Sequence, residues 1–406
     1  MNPILFLLAG LSFALTIWRW RAARQFPLHR PVAEKKFLPA ITLLKPLKGV
    51  DPETRRCLQS WFAQNYSSPV QILFGVASGN DPVCEIVREL MAANPAADAR
   101  LVICEKDLGA NAKVSTLTQL EPHIQHEIIF ISDADVSVPP DFLSNAVQPL
   151  AKRRIGLVNC FYRLANPTTL AMRWEAIAIN ADFWSQVLQA ESLTRVDFAL
   201  GAVMGVKREQ LKKIGGFAAL ADYLADDYQL GNQIARKGAK IVFASVVVDC
   251  WENSMDWKKV FLHQLRWART IRICQPIPFF FSILNNATIW PLLFCLMEPM
   301  WDSYSIPLRL PGSGTYFAIL KGHYSLSFTA FLFCAFFRVA SAVDCQWRLT
   351  RSISHLPYFW LVPIKDLLDA AVWALSFLGN QIEWRGQKYK VRRSGKLEKL
   401  TTDGHG

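Results

Sequence analysis

The chain opens with an apolar segment and then changes to a pattern of short apolar runs. Residues 3–18 (PILFLLAGLSFALTIW) carry no charge, and Arg19 and Arg21 follow directly. A run of this length with Trp18 and Trp20 as interface residues predicts a membrane-anchoring helix. A cleaved signal peptide is not favoured, because it would carry its basic residues before the apolar run. Positive charge stays on the cytosolic side, so we expect the N-terminus outside and the following chain in the cytosol.

Beyond residue 39, apolar runs of strand length alternate with the helical patterns of residues 53–65 and 82–93. This alternation predicts βαβ units and a mostly parallel sheet, and the nearly continuous apolar runs indicate that both sheet faces are covered. Ligands of such sheets bind at the carboxyl ends of strands, so the residues after each run are the first candidates for a site. The predicted strands are Ile41–Leu44, Val70–Val76, Leu101–Cys104, Ile128–Ile131 and Ile155–Cys160.

The chain becomes apolar again after Pro276. Pro278–Met297 and Tyr324–Val343 are predicted membrane spans, and two spans return the basic C-terminal tail to the cytosol as the charge rule requires. A third segment, Leu356–Leu378, carries three charges near one face and predicts an amphipathic helix at the membrane interface. These charges are Lys365, Asp366 and Asp369.

Composition supports a membrane-bound enzyme with one large globular domain. The 406 residues are 51% hydrophobic and 19% charged, and the net charge is +12. A basic balance can indicate nucleic acid, but the basic residues here flank apolar segments, which favours a membrane and excludes nucleic acid as the expected partner. The nine cysteines are odd in number and have no CxxC spacing, which argues against a disulfide framework or a structural zinc site.

The first candidate site follows the fourth predicted strand, where EIIFISDADV places Asp133 and Asp135 one residue apart. Paired carboxylates in a crevice are hard oxygen ligands that suit Mg²⁺ or Mn²⁺, and diphosphate oxygens can complete the shell. Such a metal would offset the charge of a departing nucleoside diphosphate. The alternative is a turn or helix-capping pair before Pro139 and Pro140.

Three further candidates also follow predicted strands. Asp81, after a turn at Gly79, can accept hydrogen bonds from a uracil or ribose, or can cap the helix that begins at Pro82. Lys113 in LGANAK can meet a diphosphate oxygen, and Lys45 in LLKPLKG has the same two interpretations: a phosphate ligand or an ordinary loop lysine.

The last two candidates lie on predicted helices. In LADDYQLG, Asp226 and Asp227 start a helix, either as caps or with Asp227 as the general base that a sugar-acceptor hydroxyl needs. In HQLRWARTIR (263–272), the arginine of the Arg-Trp pair can bind diphosphate and its tryptophan can wall an acceptor pocket. The alternative is a membrane-skimming helix with its arginines at the lipid headgroups, which suits Arg269 and Arg272.

Together these stretches resemble the ceramide glucosyltransferase family, including its hopanoid-modifying bacterial branch. That family has three aspartate motifs followed by (Gln/Arg)-x-x-Arg-Trp, and the resemblance runs in order from about residue 40 to 393. The matching text is LLKPLKGVDPE (43–53), NDP with Asp81, SDADV with Asp133, LADDY with Asp227, HQLRW (263–267) and IEWRGQKYKV (382–391).

The resemblance implies an inverting nucleotide-diphospho-sugar transferase with an α/β GT-A (Rossmann-like nucleotide-sugar-binding) domain and N-terminal and C-terminal transmembrane helices. Two positions depart from the pattern: His263 stands where the family has Gln or Arg, and Ser78 stands where many relatives carry an extra Asp. By position, the resemblance implies Asp81 as a nucleotide ligand, Asp133 and Asp135 as ligands of the metal and diphosphate, Asp227 as the base, and Arg266 and Trp267 as the rest of the site. The full candidate set adds Lys45 and Lys113 as nucleotide-sugar ligands and His263 as a catalytic residue.

We therefore expect a membrane anchor at 1–20, a cytosolic GT-A domain at 38–275, transmembrane or interfacial helices at 276–380 and a basic cytosolic tail at 381–406. The predicted reaction moves a hexose from a UDP-sugar, with UDP-glucose favoured, to a lipid hydroxyl such as ceramide, with Mg²⁺ or Mn²⁺ as the cofactor. The expected location is a multi-pass membrane protein of the bacterial inner membrane, or of the Golgi or endoplasmic reticulum in a eukaryote.

Three alternatives remain open at this point. The donor and acceptor can instead be UDP-N-acetylglucosamine and a hopanoid or other lipid alcohol. A processive polysaccharide synthase would also use three aspartates and an Arg-Trp motif, but it needs a channel of several spanning helices. An inactive membrane scaffold would hydrolyse no nucleotide-sugar.

Overall fold

A sheet with helices on both faces forms the centre of the chain, and apolar helices pack beside it. The structure is a computed structural model that describes residues 2–297, 301–309, 315–324, 326–384, 387–392 and 395–400. The strands in the described ranges are β1 (Ile41–Leu47), β2 (Val70–Val76), β3 (Asp98–Ile103), β4 (Ile128–Ser132), β5 (Val136–Ser137), β6 (Ile155–Leu164), β7 (Val203–Lys207), β8 (Lys240–Cys250), β9 (Trp301–Arg309), β10 (Thr315–Tyr324), β11 (Gln381–Trp384), β12 (Gln387–Val391) and β13 (Leu397–Lys399).

The helices separate the strands of the central sheet and then dominate the last third of the chain. A π-helical segment, Ala178–Phe183, joins two of them into one continuous rod. The helices in the described ranges are α1 (Pro3–Gln25), α2 (Thr54–Phe62), α3 (Val83–Ala93), α4 (Ala112–Leu120), α5 (Phe142–Ala146), α6 (Leu170–Ile177), α7 (Trp184–Glu191), α8 (Arg208–Lys213), α9 (Asp226–Arg236), α10 (Trp257–Cys274), α11 (Pro276–Phe281), α12 (Ile289–Met297), α13 (Leu326–Thr350) and α14 (Leu361–Ser376).

All five predicted strands are present, and the βαβ interpretation of the first half is confirmed. The strand order in the sheet is β3-β2-β1-β4-β7-β6-β8-β5, in which β1 to β4 are mutually parallel. Two strands depart from the predicted parallel arrangement: β7 is antiparallel to both β4 and β6, and the short β5 is antiparallel to β8. The apolar run of β7 is short and contains Gly205, where a Cβ would come within 2.7 Å of Val158 and 2.8 Å of Phe130, so the close approach of the neighbouring side chains requires glycine.

Alternation of side chains along the strands divides the core into two layers, one on each sheet face. In β4, Ile129 and Ile131 pack into one hydrophobic cluster, while Ile128 and Phe130 pack into the other. Successive residues of a strand point to opposite faces, so a strand that is apolar throughout has to be covered on both sides. This confirms the prediction made from the continuous apolar runs.

Two of the described helices are long and apolar enough to cross a membrane: Pro3–Gln25 and Ser327–Thr350. The predicted span Pro278–Met297 is a pair of helices, Pro276–Asn285 and Ile289–Met297, that are bent by 52° and together are apolar enough for one broken span. Asn286 causes the break, because its side-chain oxygen accepts hydrogen bonds from the backbone N–H groups of Thr288 (3.2 Å) and Ile289 (2.9 Å) and so starts a new helix.

The charged face of α14 is turned toward the protein. Lys365 and Asp366 are buried, and Lys365 pairs with Asp182 and, at 2.7 Å, with Asp369. The sequence analysis predicted correctly that these charges share one face, but it placed that face against lipid headgroups. The protein side chains that pair with these charges lie far away in the chain, so the local pattern does not show them. Asp182 belongs to the π-helical segment, and a second partner, Arg338, belongs to α13.

The C-terminal tail forms a small three-stranded sheet, β11-β12-β13, that docks on the globular domain. The backbone of Leu397 donates to the carbonyl of Asp222 (2.7 Å), and Tyr223 forms an antiparallel bridge with Lys396. Arg272 donates to the carbonyl of Gly379 at 3.1 Å, and Arg269 binds the carbonyl of Gln381. These two arginines therefore bind the backbone of the tail, which gives them a role within the protein that the sequence analysis did not predict.

Candidate active site

The turn between β4 and β5 presents Asp133 and Asp135 at the carboxyl end of the sheet. Two backbone hydrogen bonds fix it: Asp133 donates to the carbonyl of Ala202 at 3.1 Å, and Trp251 donates to the carbonyl of Asp135 at 3.0 Å. Burial, and after it the charge of Asp133, raises the pKa of Asp135 to about 6. The two carboxylates therefore repel each other in a place that water screens poorly.

Lys113 connects this turn to the third aspartate motif. Its amine lies 2.7 Å from Oδ1 of Asp133 and 3.2 Å from Oδ2 of Asp226. Burial alone would lower the pKa of Lys113, but the charges of Asp133 and Asp226 raise it above its ordinary value. The buried Asn111 caps α4 through the backbone N–H of Lys113 (3.0 Å) and donates to Asp226 (3.3 Å), which holds the lysine in place.

Asp226 and Asp227, in the first turn of α9, have different surroundings. Asp226 binds Lys113 and Asn111, whereas Oδ1 of Asp227 accepts only a local bond from the backbone of Tyr228 (2.7 Å) among the hydrogen bonds described. A Cβ on Gly201 would come within 2.8 Å of Oδ2 of Asp227, so the glycine leaves room beside that carboxylate. Burial, and after it the charge of Asp226, raises the pKa of Asp227 to about 7.

Lys45 and Asp81 lie on the β1 and β2 side of the same edge. Lys45 is 0% exposed, and its amine binds the backbone carbonyl of Asp133 and, at 3.2 Å, the hydroxyl of Ser132. Burial lowers its pKa to about 8. Both oxygens of Asp81 accept from the backbone of Gly49 at 3.0 Å, and Oδ1 also accepts from Val83 at 3.0 Å. Asp81 therefore caps α3, and it also holds the loop that follows β1.

Glu252 is a residue of this region that the sequence analysis missed. It follows β8, which runs parallel to β6 and in the same direction as β4, so its position obeys the rule that identified Asp133. Burial, and after it the charge of Asp135, raises the pKa of Glu252 to about 7, and the charges of His263 and Arg266 oppose that rise. The signal was present in the apolar run IVFASVVV (241–248), which predicts a strand.

The HQLRW segment lies on α10, next to α6. Nδ1 of His263 is 2.6 Å from Oε1 of the buried Glu175, and the amide of Gln264 donates to the same oxygen at 3.0 Å. The ring of Trp267 is edge-on to the His263 ring, with the centroids 4.9 Å apart. The charge of Arg266 on this helix lowers the pKa of Glu252, whereas that of Asp135 in the turn between β4 and β5 raises it.

The site therefore contains more carboxylates than amines. We call it the acidic site, and in the described residues it comprises Asp133, Asp135, Asp226, Asp227 and Glu252, with Lys45 and Lys113. Lys45 and Lys113 each contact Asp133, Asp227 adjoins Asp226, which pairs with Lys113, and Asp81 lies on the same edge of the sheet. A buried excess of negative charge favours binding of a cation and uptake of protons.

Comparison with known proteins identifies the group to which the chain belongs. The family model described as "Glycosyl transferase family 21" matches residues 4–397. The chain belongs to glycosyl transferase family 21. Ceramide glucosyltransferase 3 of Caenorhabditis elegans is 25% identical to this family 21 chain over 376 residues, which cover 92% of this chain and 77% of that protein. Ceramide glucosyltransferase 1 of the same organism is 21% identical over 404 residues, with coverages of 97% and 79%.

Solved structures of other glycosyltransferases are also similar to this family 21 chain. A mannosyltransferase from Pyrobaculum calidifontis, in complex with GDP-Man and Mn²⁺, is 19% identical with a TM-score of 0.47, and covers 90% of this chain and 98% of its own. Glucosyl-3-phosphoglycerate synthase from Mycobacterium tuberculosis, in complex with Mn²⁺, UDP-glucose and phosphoglyceric acid, is 18% identical with a TM-score of 0.38, and covers 61% and 85%.

The family 21 chain is a glycosyltransferase, as its sequence motifs predicted, and its relatives include ceramide glucosyltransferases. Its architecture is the expected α/β arrangement: the parallel strands β1 to β4 are followed in the sheet by the antiparallel β7, and the turn with Asp133 and Asp135 follows β4. The membrane helices predicted at the N-terminus and in the C-terminal third correspond to α1 and α13.

Proposed function

We propose that this glycosyltransferase moves a hexose from a UDP-sugar, with UDP-glucose favoured, to the hydroxyl of a membrane lipid such as ceramide. The observation that carries the proposal is the bridge made by Lys113 between Asp133 and Asp226, which joins two of the three aspartate motifs in one site. The helix with the Arg-Trp motif, α10, leads directly into the apolar helices α11 and α12. Donor chemistry and a lipid surface would thus lie next to each other.

The acidic turn suits a divalent cation. No group of three or more His, Cys, Asp or Glu side chains in the described ranges forms a complete metal site. Two carboxylates one residue apart are nevertheless what Mg²⁺ sites typically offer, with substrate phosphates and water completing the shell. Asp133 and Asp135 would hold Mg²⁺ or Mn²⁺, whose charge would offset that of the leaving nucleoside diphosphate.

The other proposed roles follow from the surroundings of Lys113, Lys45 and Asp227, and for Asp81 and Arg266 from their positions in the sequence motifs. Lys113 would contact a diphosphate oxygen, and Lys45 would act through the carbonyl of Asp133 that it binds. Asp81 would bind the nucleoside, and Arg266 would add positive charge on the side of Glu252. Asp227 would take the proton of the lipid hydroxyl, because a base with a pKa near 7 can both accept that proton and be ionised at neutral pH.

Lipid as the acceptor is supported by the apolar surface beside α10. Ile277, Phe280 and Phe281 on α11 are 52–70% exposed. Exposed apolar patches of this kind mark membrane or ligand contacts. With α1 as the anchor and basic residues after it, the catalytic domain would work at the cytosolic face of the membrane.

A panel of nucleotide-sugars tests the proposal. Purified protein in lipid would be incubated with UDP-glucose, UDP-N-acetylglucosamine, UDP-galactose or GDP-mannose, with ceramide or a hopanoid alcohol, and with Mg²⁺, Mn²⁺ or EDTA. We expect a monohexosyl lipid from UDP-glucose that mass spectrometry detects and that EDTA abolishes. A polymeric product would indicate a processive synthase, and neither transfer nor donor hydrolysis under any condition would indicate an inactive scaffold.

A further inference from the structure

The loop that leads into α9 pairs with the C-terminal sheet of β11, β12 and β13, which we call the tail sheet. The backbone N–H of Leu397 donates to the carbonyl of Asp222 at 2.7 Å. In the reverse direction, the backbone N–H of Leu224 donates to the carbonyl of Gly395 at 3.3 Å. These two bonds join the loop to the tail sheet in the manner of an additional antiparallel strand. The first aspartate of α9 comes two residues after this pairing.

The start of α9 has no capping side chain of its own. Ala225 occupies the N-cap position and makes no side-chain hydrogen bond to the helix. Alanine is a poor N-cap because it cannot accept a hydrogen bond from the free N–H groups of the first turn. Asp226 and Asp227 belong to this turn, so contacts from outside the helix have to determine where their carboxylates lie.

Asn111 supplies one set of these contacts. It donates its backbone N–H to the carbonyl of Ala221 and its side-chain amide to the carbonyl of Tyr223, both at 2.8 Å. The tail sheet binds Asp222 and Leu224, the alternate residues of the same loop. The position of the loop therefore depends on two partners, the segment before α4 and the tail sheet, and neither takes the place of the other.

The apolar side of the tail sheet also joins the three segments that carry Lys113, the aspartates of α9 and the HQLRW motif. The tail sheet contributes four buried side chains to one hydrophobic cluster: Ile382, Tyr389, Val391 and Leu397. The cluster is completed by Ala110 just ahead of α4, Leu224 just ahead of α9 and Ile273 near the end of α10. Leu224 and Leu397 are each only 7% exposed. Because the cluster is small, the loss of one large side chain should loosen the contact between these segments.

We propose that the tail sheet is a positioning element that fixes the first turn of α9, and with it the carboxylate of Asp227, through the side chain of Leu397 and the backbone of Gly395. The inference rests on the proposed function, in which Asp227 takes the proton of the lipid hydroxyl. It adds the C-terminal tail to the parts of the chain that proton transfer needs. Without the tail sheet, the loop before α9 would keep one of its two partners and lose the other.

Leu397→Ala tests this role, because it shortens the buried side chain and keeps the backbone of β13. The kcat for sugar transfer, expressed per site that binds UDP, should fall by roughly 10- to 100-fold, because a shift of about 1 Å in a reacting group reduces a rate on this scale. The KM for the UDP-sugar should stay close to the wild-type value, since no hydrogen bond or ion pair in the described ranges joins the tail sheet to Lys45, Asp81 or Asp133. Leu397→Met, which nearly conserves the volume, should restore most of kcat.

Glu398→Ala is the matched control, since Glu398 is the next residue of β13, faces outward and pairs with the exposed Arg392 at 3.0 Å. It should keep both kcat and the KM for the donor. Leu224→Ala removes a member of the same cluster from the loop side and serves if Leu397→Ala does not fold. It should lower kcat in the same way. An unchanged kcat in folded Leu397→Ala or Leu224→Ala would overturn the inference and leave the proposed function intact.

A second measurement needs no activity. Hydrogen exchange, followed by mass spectrometry on the full-length protein in lipid nanodiscs, should be faster at residues 222–230 in Leu397→Ala than in the wild type, and unchanged in β1 and β4. Glu398→Ala should exchange like the wild type. Unchanged exchange at residues 222–230 in Leu397→Ala would refute the positioning role. If the wild type transfers no sugar from any donor, the proposed function fails, and the exchange still decides whether the tail sheet fixes the start of α9.

Discussion

Two clusters of buried charge lie in the part of the chain that the structure describes, and a lysine bridges carboxylates in each. In the acidic site, Lys113 joins Asp133 and Asp226. In the second cluster, which we call the anchor network, Lys365 of α14 joins Asp182 and Asp369. In the described residues, the anchor network comprises Arg19, Asp182, Arg338, Lys365, Asp366 and Asp369.

The two clusters differ in charge balance. The anchor network has three cations and three carboxylates, and Asp366 accepts two bonds from Arg338 (2.7 and 2.8 Å) and one from Thr288 (2.7 Å). The acidic site has five carboxylates and two amines, and three of its carboxylates have pKa values raised to about 6 or 7. The anchor network, with balanced charge, connects α1, the π-helical segment, α13 and α14. The acidic site, with its excess of carboxylates, is suited to binding cations and protons.

The largest effect is expected for Asp227→Asn, which removes the proposed base and changes few contacts. Its side-chain hydrogen bond in the described structure is a local one to Tyr228. The rate of sugar transfer should fall by about 10²–10⁴-fold, the usual contribution of a positioned base. Initial rates with saturating donor and acceptor would measure the loss.

The control for Asp227→Asn is its unfolding temperature in detergent, which should match the wild type. Transfer that persists at more than a tenth of the wild-type rate in the folded variant would remove Asp227 from the mechanism. The proposed base would then have to be another carboxylate of the acidic site.

The next largest effect is expected for Lys365→Met, which should act on stability. Removing Lys365 leaves three carboxylates with two arginines in the network, and Asp369 loses the cation that it pairs with. The free energy of unfolding should fall by about 3–5 kcal/mol, as when one partner of a buried ion pair is removed. Chemical denaturation in detergent would measure this change, and a loss below 1 kcal/mol would contradict a structural role for the network.

Lys113→Met is the matched change in the acidic site and should have a smaller effect on stability. A divalent cation, or protonation, can replace the lost charge beside Asp133 and Asp226, so the variant should remain folded. Transfer should fall by roughly 10–100-fold, because Lys113 orients a proposed metal ligand. The apparent affinity of the variant for Mn²⁺ would be measured in parallel. A variant that loses stability but keeps the wild-type rate of transfer would contradict this prediction, because Lys113 would then have the structural role that we assign to Lys365.

Much of the fold was predictable because it depends on local pattern. Val70–Val76 was predicted with its observed bounds, and the strand that leads to Asp133 was predicted to within one residue. The antiparallel strand β7 was missed because its apolar run is short and is interrupted by Gly205. The antiparallel direction of β7 shows only in its pairing with the neighbouring strands β4 and β6.

The candidate site was predictable where a side chain follows a recognisable strand and unpredictable where its role depends on a distant partner. Nothing local distinguishes Asp226 from Asp227, yet Lys113 and Asn111 select Asp226. Glu175 is an isolated acid in an apolar helix, and only the contact with α10 shows what it binds. Lys365 misled the prediction for the same reason, since a charged helix face near a membrane has the same pattern whether lipid or protein covers it.

The smallest effect, and the finest test of the charge imbalance, is the dependence of the rate on pH. A base works in its ionised form, and burial together with Asp226 raises the pKa of Asp227 to about 7. The rate should therefore be level above pH 8 and fall roughly tenfold per pH unit below pH 7, which is the opposite of the dependence expected for a general acid.

Glu252 provides the control for this test, because the pKa of its carboxyl is also raised to about 7. The main causes of the raised pKa of Asp227 are burial and the charge of Asp226, so removing the charge of Glu252 should leave that pKa in place. Glu252→Gln should therefore keep the acidic limb of the profile, whereas the residual activity of Asp227→Asn should lose it. If Glu252→Gln flattens the pH profile instead, the titrating base is Glu252 at the end of β8 and not Asp227. The neighbouring carboxylates would then raise the pKa of a base that the aspartate motif does not indicate.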